Sequence, residues 1–409
     1  MPNGRLQIGA FATDVGRPAD GAVIRITPRG IENQVLEELA TDSSGQTPTI
    51  ELAAPPLEFS MTGGYKPYSE YDIQVMMDGY EPQMIEGVQV FPDTTAYQDV
   101  RLNPIMGYAA QRRIISIKEH TLWGTFPPKI PEDEVKELPP STGYIVLPDP
   151  VVPEFIIVHD GPPSDVSAQN YWIPFADYIK NVASCEIYSN WPQATITANI
   201  LAILSFTLNR VYTEWYRGMG YNFTITSSTA YDHAFSYGRN IFSEISSEVD
   251  NIFTSFITRP GIRQPLFTQY CDGKNTTCPN WMTQWGSKAL GDQGYSAMDI
   301  LKSYYGYDIY LMQAQRVEGV PISYPGTALQ MGSAGEPVRV IQEQLNAISN
   351  HYPAISKVRV DGVFGEQTRI AVETFQDIFR LSADGMVGFD TWYKISHIYV
   401  AVTRMAELN

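Results

Sequence analysis

Among the groups that can move protons, Glu186 has the most suggestive neighbours: Cys185 before it, and Ile187, Tyr188 and Trp191 after it, in the stretch DYIKNVASCEIYSNWP. Apolar surroundings penalise the charged form of a carboxyl group and raise its pKa. That suits a group which first donates a proton and then takes one back. On residue type alone, an ordinary surface glutamate is the simpler reading. The five histidines, His120, His159, His233, His351 and His397, are scattered, with no paired spacing on one helix. A hydrolytic zinc needs histidines and a carboxylate brought together; His159, Asp160, His233, Cys271 and Cys278 are the residues from which one could be assembled in space. Asp232-His233 reads equally as a hydrogen-bonded loop pair, and we assign no metal and no cofactor. Three cysteines are too few for a disulfide scaffold, and none has zinc-finger spacing. Cys271 and Cys278 close a short loop that holds either one disulfide or two free thiols.

The elements around Glu186 read as an α+β domain over residues 154–313. Ile196, Ile200, Leu204, Leu208, Val211 and Trp215 fall on one helical stripe, with Pro192 at its start and Gly218 and Gly220 at its stop. Ile245, Val249, Ile252, Phe253 and Phe256 mark a second helix, and residues 155–158 and 223–226 are strand-like. Of the aromatics Tyr188, Trp191, Trp281, Trp285 and Tyr295, some belong to the core; those exposed near the site, Trp285 foremost, could stack on sugar faces.

Residues 1–104 read as short strands between turns: Leu6, Ile8 and Phe11 alternate, and Val23, Ile24 and Ile26 follow Gly16-Arg17-Pro18. This spacing predicts a β-sandwich. No acid, base or metal cluster accompanies it, so it serves as a structural or covering domain. Residues 105–153 form a proline-dense junction with an acidic patch at Glu132, Asp133 and Glu134. Proline fixes φ and removes amide donors, so the junction is expected to be extended and exposed, a linker or an activation segment. After a linker at 314–323, residues 324–409 carry an internal repeat, DGVFGEQT at 361–368 and DGMVGFDT at 384–391, each an Asp-Gly turn feeding a helix.

With 409 residues, 44% hydrophobic content and 12% aromatics, two to three domains with sizeable cores are expected. The formal net charge of -17 disfavours nucleic acid and anionic membranes as partners. Residues 1–10 lack the basic and apolar blocks of a signal peptide, and the apolar run at 198–204 is too short to span a bilayer, so a soluble protein is expected.

Three stretches resemble known families. LQMGSAGEPVRVIQEQLN, VDGVFGEQTRIAVETFQDIFRL and DGMVGFDTW resemble the common peptidoglycan-binding module, with Gly332, Gly335, Val338, Gln342, Leu345, Asp361, Gly362, Phe364, Gly365, Thr368, Ala371, Val372, Phe375, Gln376 and Trp392 at its signature positions. This implies a three-helix module tethered to glycan or stem peptide. The central domain resembles the SpoIID/LytB family through ASCEIYSNWP, through MTQWGSKALGDQGYSAMDILKSYYG and, more loosely, through STAYDHAFSYGR. That resemblance implies that Glu186 is the catalytic glutamate and that Tyr188, Trp191, Asp232, His233, Gln284 and Trp285 contact substrate. The chain departs from the family at Ala194, Leu204, Phe206 and Cys278.

The layout as a whole, with its PPKIP and LPPSTG junction, resembles the SleC-type clostridial spore cortex-lytic enzymes. The resemblance implies an extracytoplasmic zymogen that acts on cortex peptidoglycan in the spore during germination. Its chemistry would be lytic transglycosylation, in which one carboxylate suffices because the C6 hydroxyl of N-acetylmuramic acid is the nucleophile. It further implies activation by a subtilisin-like Csp protease within residues 144–152, with a covering N-terminal domain whose interface is modest and reversible. The rivals are an N-acetylmuramoyl-L-alanine amidase and a non-catalytic, wall-binding enhancer of another lysin.

Overall fold

Side chains alternate inward and outward along Asn3–Ala12, which makes this segment strand β1 of a sandwich. A computed structural model describes residues 2–13, 17–106, 112–137, 149–276 and 278–407, with side chains to residue 403. One sheet places β1 between parallel β8 (Thr95–Leu102) and the antiparallel strands β2 (Arg17–Pro18) and β5 (Ile50–Ala53). The other runs β4 (Glu37–Ala40), β3 (Val23–Pro28), β6 (Ser69–Met76), β7 (Gln83–Val90), β9 (Arg113–Ser116). Leu6, Ile8, Ile24, Ile26, Ile73, Val75, Val88 and Val90 are buried between them. Two details differ from the sequence reading. Strand β9 lies inside the stretch read as junction, because it completes the second sheet by parallel pairing with β7. Phe11 faces out of the sandwich and packs on the C-terminal module.

Between β5 and β6 the short helix α1 (Glu58–Thr62) leaves the sandwich and rests on the central domain. That domain is built on α2 (Phe175–Glu186) and α3 (Gln193–Tyr212). Ile196, Ile200, Leu204 and Leu208 of α3 are buried as the stripe requires, but so is nearly every other residue of the helix. A helix apolar all round belongs inside a core. The stretch Gln193–Gly218 is long and apolar enough to cross a membrane, yet 83% of its most apolar window is buried within the protein. Helix α3 stops at Tyr212, earlier than the glycines implied. The Thr213 hydroxyl donates back to the Asn209 carbonyl (2.7 Å), and Glu214 turns left-handed (φ 50°), starting α4 (Trp215–Gly218) afresh. Helix α5 (Ser243–Ile252) likewise ends before Phe256, which lies in the strand Ser255–Thr258. The strand-like pieces at 155–158 and 223–226 do meet, with Val158 opposite Ile225 and His159 opposite Thr226.

Helices α6 (Gln284–Asp292) and α7 (Ala297–Tyr305) close the central domain. Thr283 caps α6 by accepting the Gly286 amide (3.2 Å), and Ser296 caps α7 by accepting the Asp299 amide (3.2 Å). Gly286 is required by packing: a Cβ there would lie 2.1 Å from the Tyr304 hydroxyl. The domain's ends are tied by pairing of Val151–Val152 with Arg316–Val317.

In the C-terminal module, α8 (Glu336–Ile348), α9 (Glu366–Ile378) and α10 (Phe389–Glu407) surround Val338, Ile341, Leu345, Ala371, Val372, Phe375 and Trp392. The sequence repeat is a repeat of one device. The Gln342 side chain donates to Asp361 Oδ1 (3.2 Å), to the Val363 carbonyl (3.0 Å) and to Thr368 Oγ1 (3.1 Å), and accepts the Gly362 amide (2.9 Å). Gln376 repeats this with Asp384 (2.9 Å), Met386 (2.8 Å), Thr391 (3.1 Å) and Gly385 (2.8 Å). Each buried glutamine thus locks an Asp-Gly turn whose glycine has φ near 70°.

The three regions are in contact. Ile241–Phe242 of the central domain adds to the sandwich by pairing with β8. Sandwich and central domain share one apolar cluster running from Leu6 to Ile309. Arg380 of the C-terminal module pairs with Asp99 of β8 (2.9 Å) and lies over Tyr97 (4.5 Å).

Candidate active site

Glu186 is the last residue of α2, and its side chain is 2% exposed. Its Oε1 accepts the backbone amide of Ala234 (2.7 Å), and the Tyr270 side chain lies beside the carboxyl. Burial raises the pKa of this carboxyl above the ordinary glutamate value, and the nearby Lys129 ammonium, Tyr270 and the Ala234 amide oppose the rise. The C-terminus of a helix also disfavours negative charge, in the same direction as burial. Three contacts fix the end of α2: the Thr121 amide donates to the Cys185 carbonyl (3.0 Å), Gln284 Nε2 to the Glu186 carbonyl (2.9 Å), and His120 Nε2 meets the Ile187 carbonyl (3.2 Å). These satisfy helix-end acceptors that would otherwise be orphaned.

A small, partly open cavity lies at the carboxyl. Glu186, Thr229, Tyr270, Asp272, Gln284 and the Cys271–Cys278 loop form one wall; Thr121, Gly124, Phe126, Pro127 and Lys129 form the other. The second wall is the junction. The exposed stretch expected there is, over residues 118–137, packed on the central domain. After a turn at residues 121–124 it runs without helix or strand, Ile130 donates to the Ala230 carbonyl (2.7 Å), and Gln269 Nε2 donates back to the Ile130 carbonyl (2.7 Å). Glu132, in the acidic patch, forms a bidentate pair with the buried Arg210 (2.9 and 2.6 Å). Residues 138–148, which hold most of the expected cleavage window, lie outside the described residues.

The other site candidates divide. Gln284 lines the cavity and holds Glu186 through its backbone. Asp232 does not face the cavity as a free carboxylate. It is fully buried and accepts from Arg210 Nε (2.7 Å), Tyr216 Oη (2.6 Å), Thr226 Oγ1 (2.7 Å) and the Thr226 amide (3.0 Å). His233 is fully buried; Nδ1 meets Tyr178 Oη (3.1 Å), Nε2 has no partner among the described residues, and the ring stacks on Tyr270 (5.9 Å). Burial, reinforced by Lys129 and Arg210, holds its pKa well below the usual range, so the ring is neutral.

Most of the aromatics near the site, Trp285 among them, belong to the core. Tyr188, Trp191 and Trp285 are buried in an edge-to-face cluster beneath α1. Trp191 Nε1 donates to the Ser60 carbonyl (2.9 Å), and Lys274 lies over Trp285 (3.3 Å) while donating to the Thr62 carbonyl (2.7 Å). Of that group, Tyr295 is exposed.

Sequence reasoning missed His120, Thr121, Lys129 and Tyr270. Nothing in a proline-rich stretch marks which of its residues will fold back, but PPKIP does place one cation among prolines.

Cys271 and Cys278 form a disulfide, which consumes two of the five donors named for an assembled metal site. Among the described residues, no group of three histidine, cysteine or acidic side chains is placed to hold a metal.

Residues 334–395 match the model of the peptidoglycan binding domain family, so the helical C-terminal module is a peptidoglycan-binding domain. A zinc D-Ala-D-Ala carboxypeptidase of Streptomyces albus G is 39% identical over 74 residues, 18% of this chain. The match spans 27% of that enzyme's length. Among solved structures, the SleB N-terminal domain is 33% identical over 18% of this chain and 93% of its own (TM-score 0.16). The Klebsiella pneumoniae 5-hydroxyisourate hydrolase is 17% identical over 26% of this chain and 94% of its own (TM-score 0.18).

Proposed function

We propose that this chain is a cell-wall lytic enzyme of the SleC type, made as a zymogen, that degrades spore cortex peptidoglycan outside the cytoplasm by lytic transglycosylation at N-acetylmuramic acid. The observation that carries the reading is the Glu186 carboxyl: buried, oriented by the Ala234 amide, raised in pKa by burial, and opening on a cavity. The peptidoglycan-binding domain supports the choice of polymer.

The chemistry needs one carboxyl group. Protonated Glu186 donates its proton to the glycosidic oxygen as the bond from that oxygen to the anomeric carbon of N-acetylmuramic acid breaks. The resulting carboxylate then takes the proton of the same sugar's C6 hydroxyl, whose oxygen bonds to the anomeric carbon. A 1,6-anhydro end is released and Glu186 is protonated again. Gln284, Tyr270 and Ala234 position the carboxyl. Asp232 and His233 act at a distance, holding Arg210 and Tyr178. Tyr188, Trp191 and Trp285 would become sugar platforms only if α1 withdrew from them. Activation is assigned to a subtilisin-like Csp protease cutting within residues 144–152.

Glu186→Gln keeps the shape of the side chain and removes the proton donor. It is expected to fold normally and to lower muropeptide release at least a thousandfold, with mass spectrometry of wild-type products showing anhydro-muramic ends. Free L-alanine-terminated stem peptides instead would identify an amidase. Undiminished release by the folded variant would leave the chain without a catalytic Glu186.

A further inference from the structure

The cavity at Glu186 already contains a cation from elsewhere in the chain. Lys129 reaches in from the junction; its Nζ donates to the Asp232 carbonyl and lies near the Thr229 carbonyl (3.4 Å), over the rings of Tyr270 (5.0 Å) and Phe206 (5.6 Å). Carbonyl oxygens and aromatic faces are partners an ammonium group takes when it is a ligand. The flanking backbone is anchored by two charge pairs, Glu132 on Arg210 (2.6 Å) and Glu134 on Arg259 (3.0 Å), both ends coming from residues far apart in sequence.

We propose that residues 126–136 are a closing strap for the Glu186 site, with Lys129 seated as its internal ligand. This rests on the reading of Glu186 as the catalytic acid. Two consequences follow from the geometry. The strap, and not the sandwich, lines the cavity with Glu186, through Phe126, Pro127 and Lys129, so a substrate entering there meets the strap. The Lys129 ammonium also favours the ionised carboxylate. Withdrawing the strap therefore admits substrate and takes away the cation that opposes protonation of Glu186.

The test uses the uncut full-length chain as wild type, Lys129→Met and Lys129→Met/Glu186→Gln. Release of muropeptides from purified peptidoglycan is measured beside labelling of Glu186 by a water-soluble carbodiimide and glycinamide, located by peptide mass. Lys129→Met is expected to raise both rates at least tenfold over uncut wild type, and the double variant to release nothing. Lys129→Gln, which keeps a donor for the carbonyls and drops the charge, carries the same test if the Met variant does not fold. Labelling that rises without release keeps the strap and removes the catalytic reading of Glu186. Release and labelling both at wild-type level in a folded Lys129 variant would overturn the strap.

Discussion

At the scale of single residues, the centre of the domain is an electrostatic arrangement in which one cation serves two carboxylates. Arg210 is 1% exposed and lies between Asp232, with no exposure at all, and Glu132. A buried ion pair gains little over a well-packed apolar replacement, but removing one member strands the other. Arg210→Met leaves Asp232 without its ion-pair partner and Glu132 with Lys136 alone (2.7 Å). We expect it to cost about 3–5 kcal/mol in urea unfolding. A loss below about 1 kcal/mol would show that neighbouring donors suffice for Asp232. Glu186 differs in kind: its raised pKa means that the protonated form is the one the fold favours. Its contribution to stability is present below the ordinary glutamate value of about 4.3 and is lost as pH rises through the folded value. The same titration should make turnover fall on the alkaline side, since the donor must carry its proton.

At the scale of elements, the strap is held by carboxylates with the opposite sign. Burial raises the pKa of Glu132, but Arg210 and Lys136 outweigh it and the net shift is downward. The grip is therefore complete above the ordinary value of about 4.3 and is lost as pH falls through the lower folded value. Amide exchange at Ile130, Glu132 and Lys136, which are backbone donors to the central domain, is expected to accelerate in acid ahead of exchange in α3. Uniform acceleration of strap and core would mean that the strap has no separate grip. The elements also mark what was legible beforehand. Periodicity announced α3, α5 and the sandwich, because burial on one face leaves a pattern in the chain. The Asp-Gly repeats announced the C-terminal module, because its turns demand positive φ at Gly362 and Gly385. Glu186 was legible only through its motif. The strap and the burial of Trp191 were not legible: where an extended segment docks is decided by partners such as Gln269 and Ser60, 139 and 131 residues away, and local spacing carries no trace of them.

At the scale of the molecule, the N-terminal domain is joined to the central domain along a broad seam. The modest, reversible interface expected of it is replaced by a continuous one: Ile241–Phe242 extends its sheet through β8, and the apolar core runs unbroken from sandwich to central domain. Asn240 exchanges two hydrogen bonds with the Gln89 backbone (3.0 and 2.9 Å), and Gln98 donates to the Gly238 carbonyl (2.9 Å). One feature works against the union. Arg239 is buried at this seam beside Gln89 with Nε and Nη1 lacking hydrogen-bond partners among the described residues, and a buried, unpaired cation is costly. That cost is confined to one side chain, whereas the paired strands, the strap and the seat of α1 on Trp191 are spread over the whole seam. A cut within residues 144–152 falls after the strap, so the N-terminal piece would keep Lys129, Thr121 and His120 in place around Glu186. Cleavage alone should therefore leave the two pieces together. After complete nicking in that window, size-exclusion chromatography with light scattering is expected to give one species of full-length mass in native buffer, separating into two only when denaturant is added. Two native peaks would mean that the cost at Arg239, and not the shared core, decides the outcome.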